Sequence, residues 1–303
     1  MINQLIARML PYFPKKIVWI FSKRYIAGEY IGDALTESRK LNSTGTMVTT
    51  DLLGEYVNSM DETIYYKQLY IELIEKFTTE KIDGNFSVKP SMFGLLLDSE
   101  ACYRNLRDLV EVADRCNTFI RIDMEDSGCT SVELEIFRRL KTEFPSRVGL
   151  VVQAYLHRTL EDIKSLMDLN HSDALVNLRL CKGIYIEAAQ IAYQGHQEIR
   201  DNYIEDLRFM LSNGIYAGIA THDKYLIDKA YELIDQLKVP KDKYEFQMLY
   251  GVTPQLRNSI LQKGHRVRVY VPYGKQWFGY STRRLKENPA MVWHIIKAIF
   301  IRK

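Results

Sequence analysis

Residues 148–182 read VGLVVQAYLHRTLEDIKSLMDLNHSDALVNLRLCK, and the reading of this stretch decides the fold. Two short apolar runs, VGLVVQAY (148–155) and ALVNLRLCK (174–182), flank TLEDIKSLMDL (159–169), an amphipathic segment with helical periodicity. Run, helix and run form the unit that links neighbouring parallel strands. The same alternation continues on both sides. TGTMVTTDL (44–52), NFSVKPS (85–91) and NTFIRIDME (117–125) precede it, and IYAGIATHD (215–223), YEFQML (244–249) and RVRVYVP (266–272) follow. Between and after the runs lie helical segments at 63–80, 100–116, 131–144, 186–211, 224–237, 253–264 and 279–288. Eight such units close naturally into an α/β fold of the (β/α)₈ barrel type, although a doubly wound open sheet has the same spacing. The expected organisation is an N-terminal helical arm over 1–44 and a barrel over 45–303, with a final helix over the barrel mouth.

The 303 residues are 47% hydrophobic, enough for such a barrel plus an arm. A formal charge of +3, from 41 basic and 38 acidic residues, is too small to suggest a nucleic-acid partner. Cys102, Cys116, Cys129 and Cys181 form no CxxC pair, which fits a reduced, cytoplasmic setting. No run of about 20 apolar residues spans a bilayer. The ends, MINQLIARMLPYFPKKIVWIFSKRYIAG and MVWHIIKAIFIRK, mix apolar and basic residues. Each reads either as a helix capping the domain or as a basic amphipathic segment on the inner face of a cell membrane.

Parallel strands are covered on both faces and should be nearly all apolar. Polar residues are expected instead at their C-terminal ends, and Lys89, Asp123, Gln153, Arg179, Lys182, Thr221, His222 and Tyr270 all end runs. In a barrel these positions form one ring at the face where active sites are built. On the last helix, Tyr280, Arg283, Arg284 and Glu287 share a face by their spacing. Two neighbouring guanidiniums there suit an anionic ligand, a carboxylate above all; a solvated basic face with a local Glu287 salt bridge is the plainer reading. Tyr270 and Tyr280 favour a pocket for a small apolar ring.

The segments SVKPS, RIDMED, VVQAYL, RLCKGIY, ATHD, FQMLYGV, VRVYVPYG and YSTRRLKEN, in this order from Thr44 to Asn288, resemble the barrel strands and closing helix of proline dehydrogenases. The length is similar to that of the monofunctional bacterial, FAD-dependent form. The resemblance implies oxidation of L-proline to Δ1-pyrroline-5-carboxylate, by hydride transfer from C5 to flavin N5, with the electrons passed to a membrane quinone. It implies that Arg283, Arg284 and Lys89 clamp the substrate carboxylate, that Tyr270, Tyr280 and Leu249 pack its ring, and that Asp123 orients the Lys89 ammonium. Arg179 would stand at the reactive flavin nitrogen, with Met124 and Gln153 as further flavin contacts. Lys182, Gly183 and Ile184 would hold the pyrophosphate, Thr221 and His222 the adenosine half, and Glu287 a sugar hydroxyl. Glu55 would pair with Arg283 as a gate. GxGxxG is absent, so a Rossmann-type flavin site is not expected. Tyr250 departs from the family pattern, where some members carry His, and leaves the contact to the adenine or flavin at this position open. Two other chemistries compete: a Schiff-base lyase on Lys89 or Lys182, and a metal hydrolase on His222, Asp223, Asp123 and Glu125, although HxH and HExxH spacings are missing. A non-catalytic binding module would leave the charged mouth unexplained.

Overall fold

The computed structural model describes residues 18, 19 and 22–287, with side chains described as far as Thr282. Eight strands alternate with helices: β1 (Met47–Leu52), β2 (Gly84–Val88), β3 (Ile120–Ile122), β4 (Val148–Gln153), β5 (Asn177–Cys181), β6 (Tyr216–Ala220), β7 (Tyr244–Leu249) and β8 (Val267–Tyr273). Helix α1 (Ile31–Asn42) precedes β1. The helices that follow successive strands are α2 (Met60–Thr79), α3 (Ser99–Arg115), α4 (Thr130–Glu143), α5 (Thr159–Ser165), α6 (His196–Ser212), α7 (Lys224–Gln236), α8 (Pro254–Gln262) and α9 (Trp277–Glu287). Local chemistry sets several of the starts. Ser59, Asp98 and Asp223 each accept a bond from a first-turn N–H of α2, α3 and α7, satisfying a donor the helix cannot.

Every strand pairs in parallel with the next, and β1 pairs with β8, so the sheet closes and the open-sheet alternative falls. Two environments result. Val48, Phe86, Ile122, Leu150, Leu178, Ile219, Phe246 and Val269 belong to the buried apolar layer shared with the helices. The alternate strand positions are Thr49, Asn85, Ser87, Arg121, Arg179, Glu245, Gln247 and Arg268, all buried. Some of their bonds join strands that are not neighbours, Arg121 to Asn177 and Arg179 to Gln247, so these side chains cross the lumen. Polar residues are therefore not confined to the strand ends, as expected above, but fill the barrel from floor to mouth. In most barrels of this kind the same layers are branched aliphatic.

Helix α1, within the expected arm, buries Ala34, Leu35 and Leu41 and packs on β1 and β8. The segment before it is pinned to the end of β8: Ala27 N–H donates to the Pro272 carbonyl and Gly274 N–H to that of Gly28, both at 2.9 Å. The first residues of the arm and the basic C-terminal segment lie outside the described residues. No helix among the described residues is long and apolar enough to cross a membrane. The four cysteines are free thiols.

One expected helix is shorter than its pattern. The segment 186–211 is helical only from His196, because Gly195 caps α6 with its N–H on the Glu198 carboxylate at 2.8 Å. The preceding residues brace the loop after β4, with Tyr193 N–H on the Tyr155 carbonyl at 2.8 Å and His157 N–H on that of Ile191 at 3.0 Å. Those long-range bonds replace the helical ones the residues could make locally.

Asp206, on α6, is fully buried; its Oδ1 has no partner among the described residues, and Oδ2 meets Asn202 at 3.4 Å. Burial pushes its carboxyl up to about 8 from the ordinary 3.8. The folded state thus prefers the protonated acid, a contribution fully present below pH 3.8 and lost as the pH rises towards 8. Asp206→Asn is expected to stabilise the fold by about 1–3 kcal/mol at pH 8 and to change it little at pH 4. Urea unfolding at the two pH values checks this, and an equal effect at both would contradict it.

Candidate active site

At the C-terminal mouth of the barrel the strand ends enclose a cavity of about 540 Å³. Its walls include Lys89, Asp123, Met124, Gln153, Arg179, Lys182, Gly183, Ile184, Thr221, His222, Leu249, Tyr270 and Tyr280, with Glu55 at the rim. These fourteen residues come from every strand end or the loop beyond it, so barrel closure assembles what the sequence scatters. Arg283, Arg284 and Glu287 belong to α9 by backbone, but their side chains lie outside the described residues. The proposed pairing of Arg283 with Glu55 lies outside them as well.

Asp123 is the hub. Its Oδ1 accepts from Ser87 Oγ at 2.6 Å and from Arg179 Nη1 at 3.0 Å, and its Oδ2 from Tyr270 Oη at 3.0 Å. The Arg179 guanidinium also lies 5.2 Å from the centre of the Tyr270 ring. From Asp123 the bonding runs down the lumen. Arg179 Nε donates to Gln247 Oε1 at 2.6 Å, and Gln247 Nε2 to Glu245 Oε1 at 2.6 Å, which also accepts from Arg268 Nε at 2.7 Å. Burial acts to raise the Glu245 pKa, but Arg268 and the bonds from Arg268, Tyr216 and Gln247 bring it down to about 2. Each charged link thus has its opposite in contact, the condition under which buried charge is tolerated.

Lys89 departs from its expected partner. Its Nζ donates to Asp51 Oδ1 at 2.7 Å, whereas Asp123 stands 3.9 Å away. Asp51, rather than Asp123, is the carboxylate that orients the ammonium. Burial opposes the charge on Lys89, yet Asp51, Asp123 and Glu55 outweigh it and raise its pKa above the ordinary lysine value. A Schiff-base amine requires the opposite shift.

On the far wall, Gln153 Nε2 is held by the Glu125 carbonyl at 2.8 Å, fixing the amide beside the buried Met124. Gly183, on the cavity wall, adopts a φ of +104°, and a Cβ there would collide with the Tyr155 ring, so only glycine lets the chain leave β5 along this path. Lys182 Nζ is 3.3 Å from Asp223, which Arg200 also holds, at 2.9 Å. Thr221 Oγ1 accepts from Asp223 N–H at 3.1 Å. His222 Nε2 accepts from Leu249 N–H at 3.0 Å, which assigns the ring proton to Nδ1, 3.0 Å from Thr253 Oγ1. With His222 and Asp223 so engaged, no group of three or more His, Cys, Asp or Glu among the described residues is placed to hold a metal ion. Tyr250, the departure from the family pattern, does not line the cavity. Its hydroxyl donates to Glu37 of α1 at 2.8 Å and ties the end of β7 to the arm.

Sequence reasoning missed Asp51, Ser87, Glu245 and Gln247. The signal was present in TTDLL, where Asp51 ends a run like the other strand-end residues, and in YEFQML, where Glu245 and Gln247 two apart share one face of a strand.

Residues 34–295 match the family model described as Proline dehydrogenase. The chain is 36% identical over 278 residues to proline dehydrogenase 1 of Bacillus subtilis subsp. natto, covering 92% of this chain and 90% of that protein. It is 36% identical over 276 residues to the proline dehydrogenase of Deinococcus radiodurans, covering 90% and 87%. Its fold matches, with a TM-score of 0.83 and 27% identity, the crystal structure of proline utilization A (PutA) from Bdellovibrio bacteriovorus inactivated by N-propargylglycine. That match covers 92% of this chain and 34% of the other, so this chain spans about a third of it.

The Asp51–Lys89 pair yields a direct test. Asp51→Asn or Lys89→Met alone strands a buried charge and is expected to cost roughly 3–5 kcal/mol of stability. Asp51→Asn combined with Lys89→Met should cost clearly less than the two single changes together, as measured by denaturant unfolding in a double-mutant cycle. Additive losses would show that the two side chains do not act as a pair.

Proposed function

The chain belongs to the proline dehydrogenase family, oxidoreductases of proline catabolism, and on that premise we propose that it is an FAD-dependent enzyme that oxidises L-proline to Δ1-pyrroline-5-carboxylate. The observation that carries this reading is the convergence of Lys89, Asp123, Arg179 and Tyr270 on one cavity at the barrel mouth. Two features of the wall fit a flavin nucleotide. Arg179 is buried, and its Nη2 lacks a hydrogen-bond partner among the described residues, a donor kept for a ligand. The turn at Lys182 and Gly183, which lines the cavity and brings a cation to it, suits a pyrophosphate.

Arg179, Gln153 and Met124 would hold the flavin, and Lys182, Gly183 and Ile184 the pyrophosphate. Thr221 and His222 would hold the adenosine half, and Glu287 a sugar hydroxyl. When bound, FAD would supply the acceptor for the hydride leaving proline C5, and the electrons would pass on to a membrane quinone reached through peripheral contact. The rest is work for this chain. Lys89, Arg283 and Arg284 would grip the substrate carboxylate, since charge-assisted bonds fix orientation as well as affinity. Asp51 keeps Lys89 charged and aimed. Tyr270, anchored by Asp123, and Tyr280 with Leu249 would confine the ring, and Glu55 with Arg283 would close over it to exclude water. The cation at Arg179 would favour negative charge arriving on its side of the cavity.

The purified protein is expected to carry a flavin spectrum that bleaches on anaerobic addition of L-proline; a colourless protein, or a spectrum that proline leaves unchanged, would overturn the reading. Arg283→Ala and Arg284→Ala should each lower kcat/KM by about 1.5–3 kcal/mol, chiefly through KM. Steady-state kinetics with near-parental KM in both variants would remove the clamp.

A further inference from the structure

Among the described residues that bond across the lumen, the cations outnumber the carboxylates by one, four to three. Lys89 lies against Asp51, Arg179 against Asp123 and Arg268 against Glu245, at 2.7, 3.0 and 2.7 Å. Arg121, in the middle of β3, has no carboxylate within 4 Å among the described residues, although it is only 1% exposed. Its Nη1 donates to the carbonyls of Leu150 and Asn177, at 3.1 and 2.6 Å, and its Nη2 to the Asn177 side chain. Its Nε has no partner among the described residues. The neighbours accommodate the guanidinium without neutralising it. Phe119 lies under it with its ring centre 5.1 Å away, and a Cβ at position 149 would collide with Nη1, which explains a glycine inside β4.

Arg121 lines a second cavity, of about 300 Å³, at the N-terminal floor of the barrel and opposite the mouth. Arg147, Arg266 and Arg268 line it too. Arg147 is paired with Asp114 and Arg268 with Glu245. Arg266 meets the Asp242 carbonyl at 3.4 Å and Met47 Sδ, again without a carboxylate within 4 Å among the described residues. Two acidic residues share the wall. Glu245 is consumed by Arg268, Gln247 and Tyr216, and Asp83 stands beside Gly84 at the start of β2. The floor therefore presents two guanidiniums without a carboxylate within 4 Å among the described residues, one of them almost fully buried.

We propose that this floor cavity is a binding site for a small oxyanion of the phosphate class, held by Arg121 and Arg266. The three bonds of Arg121 use three of its five N–H groups, and a buried cation without a carboxylate in contact is the feature that a bound anion relieves. Burial first, and then the like charge of Arg179, outweigh the opposing charge of Glu245 and depress the Arg121 pKa to about 9, a penalty that an anion beside it would offset further. This cavity shares no lining residue with the one at the mouth, and its test does not depend on the proposed reaction.

The test is calorimetric titration of the intact protein with inorganic phosphate, against sodium chloride of matched ionic strength, accompanied by thermal melts. Saturable binding and a melting temperature that rises with phosphate are expected. Arg266→Gln, a change at the rim that leaves the core intact, should weaken binding at least tenfold, and Arg121→Met should abolish it. Lys182→Gln, at the mouth, should leave it unchanged. Absence of saturable heat would overturn the proposal. Binding that survives Arg266→Gln, or that disappears with Lys182→Gln, would place the anion elsewhere and overturn it equally.

Discussion

Asp123 accepting from Arg179, Ser87 and Tyr270 is the contact on which the rest of the mouth depends. It joins the end of β3 to β2, β5 and β8, and through Gln247 and Glu245 it reaches Arg268 near the floor. A buried chain of this kind is worth having only if nearly every member is satisfied, because an unpaired charge in low dielectric costs several kcal/mol. Once satisfied, it is stiff. Each side chain at the mouth is held by a partner that is itself held, the arrangement needed to place ligand-facing groups within a fraction of an ångström.

That lattice changes how the barrel is stabilised. The lumen of such a barrel usually contributes an apolar core, whereas here it is polar and the apolar burial sits almost wholly between strands and helices. Leu, Ile, Val and Phe on the outward strand faces and the inner helix faces supply the non-directional attraction that closes the fold. The lumen supplies direction instead, fixing which side chains face each other across it. Function and folding are thus divided between the two faces of the same eight strands.

The arm belongs to this economy as well. Helix α1 covers the seam where β1 meets β8, and Tyr250 reaches it through Glu37. A residue that resemblance placed near the ligand works instead as a tie between the barrel and the helix before it. The loop before α6 is a similar case: Ile191, Ala192 and Tyr193, which have helical composition, are spent on bracing the β4 loop that carries Tyr155, the ring under Gly183.

Much was legible in the chain itself. The alternation of runs and helices, the register of polar strand ends and the order of the motifs together specified a parallel eight-unit architecture with a charged mouth, because periodicity and strand-end chemistry are local properties. Closure was not legible, since it depends on β1 meeting β8 more than 200 residues later. Nor were the partners: Lys89 finds Asp51, 38 residues away, in preference to Asp123, and Tyr270 finds Asp123 across 147. Such choices depend on strand stagger and barrel diameter, which set distances across the lumen and leave no trace in local spacing. The unneutralised Arg121 is of the same kind, visible only once every other lumen cation has its carboxylate.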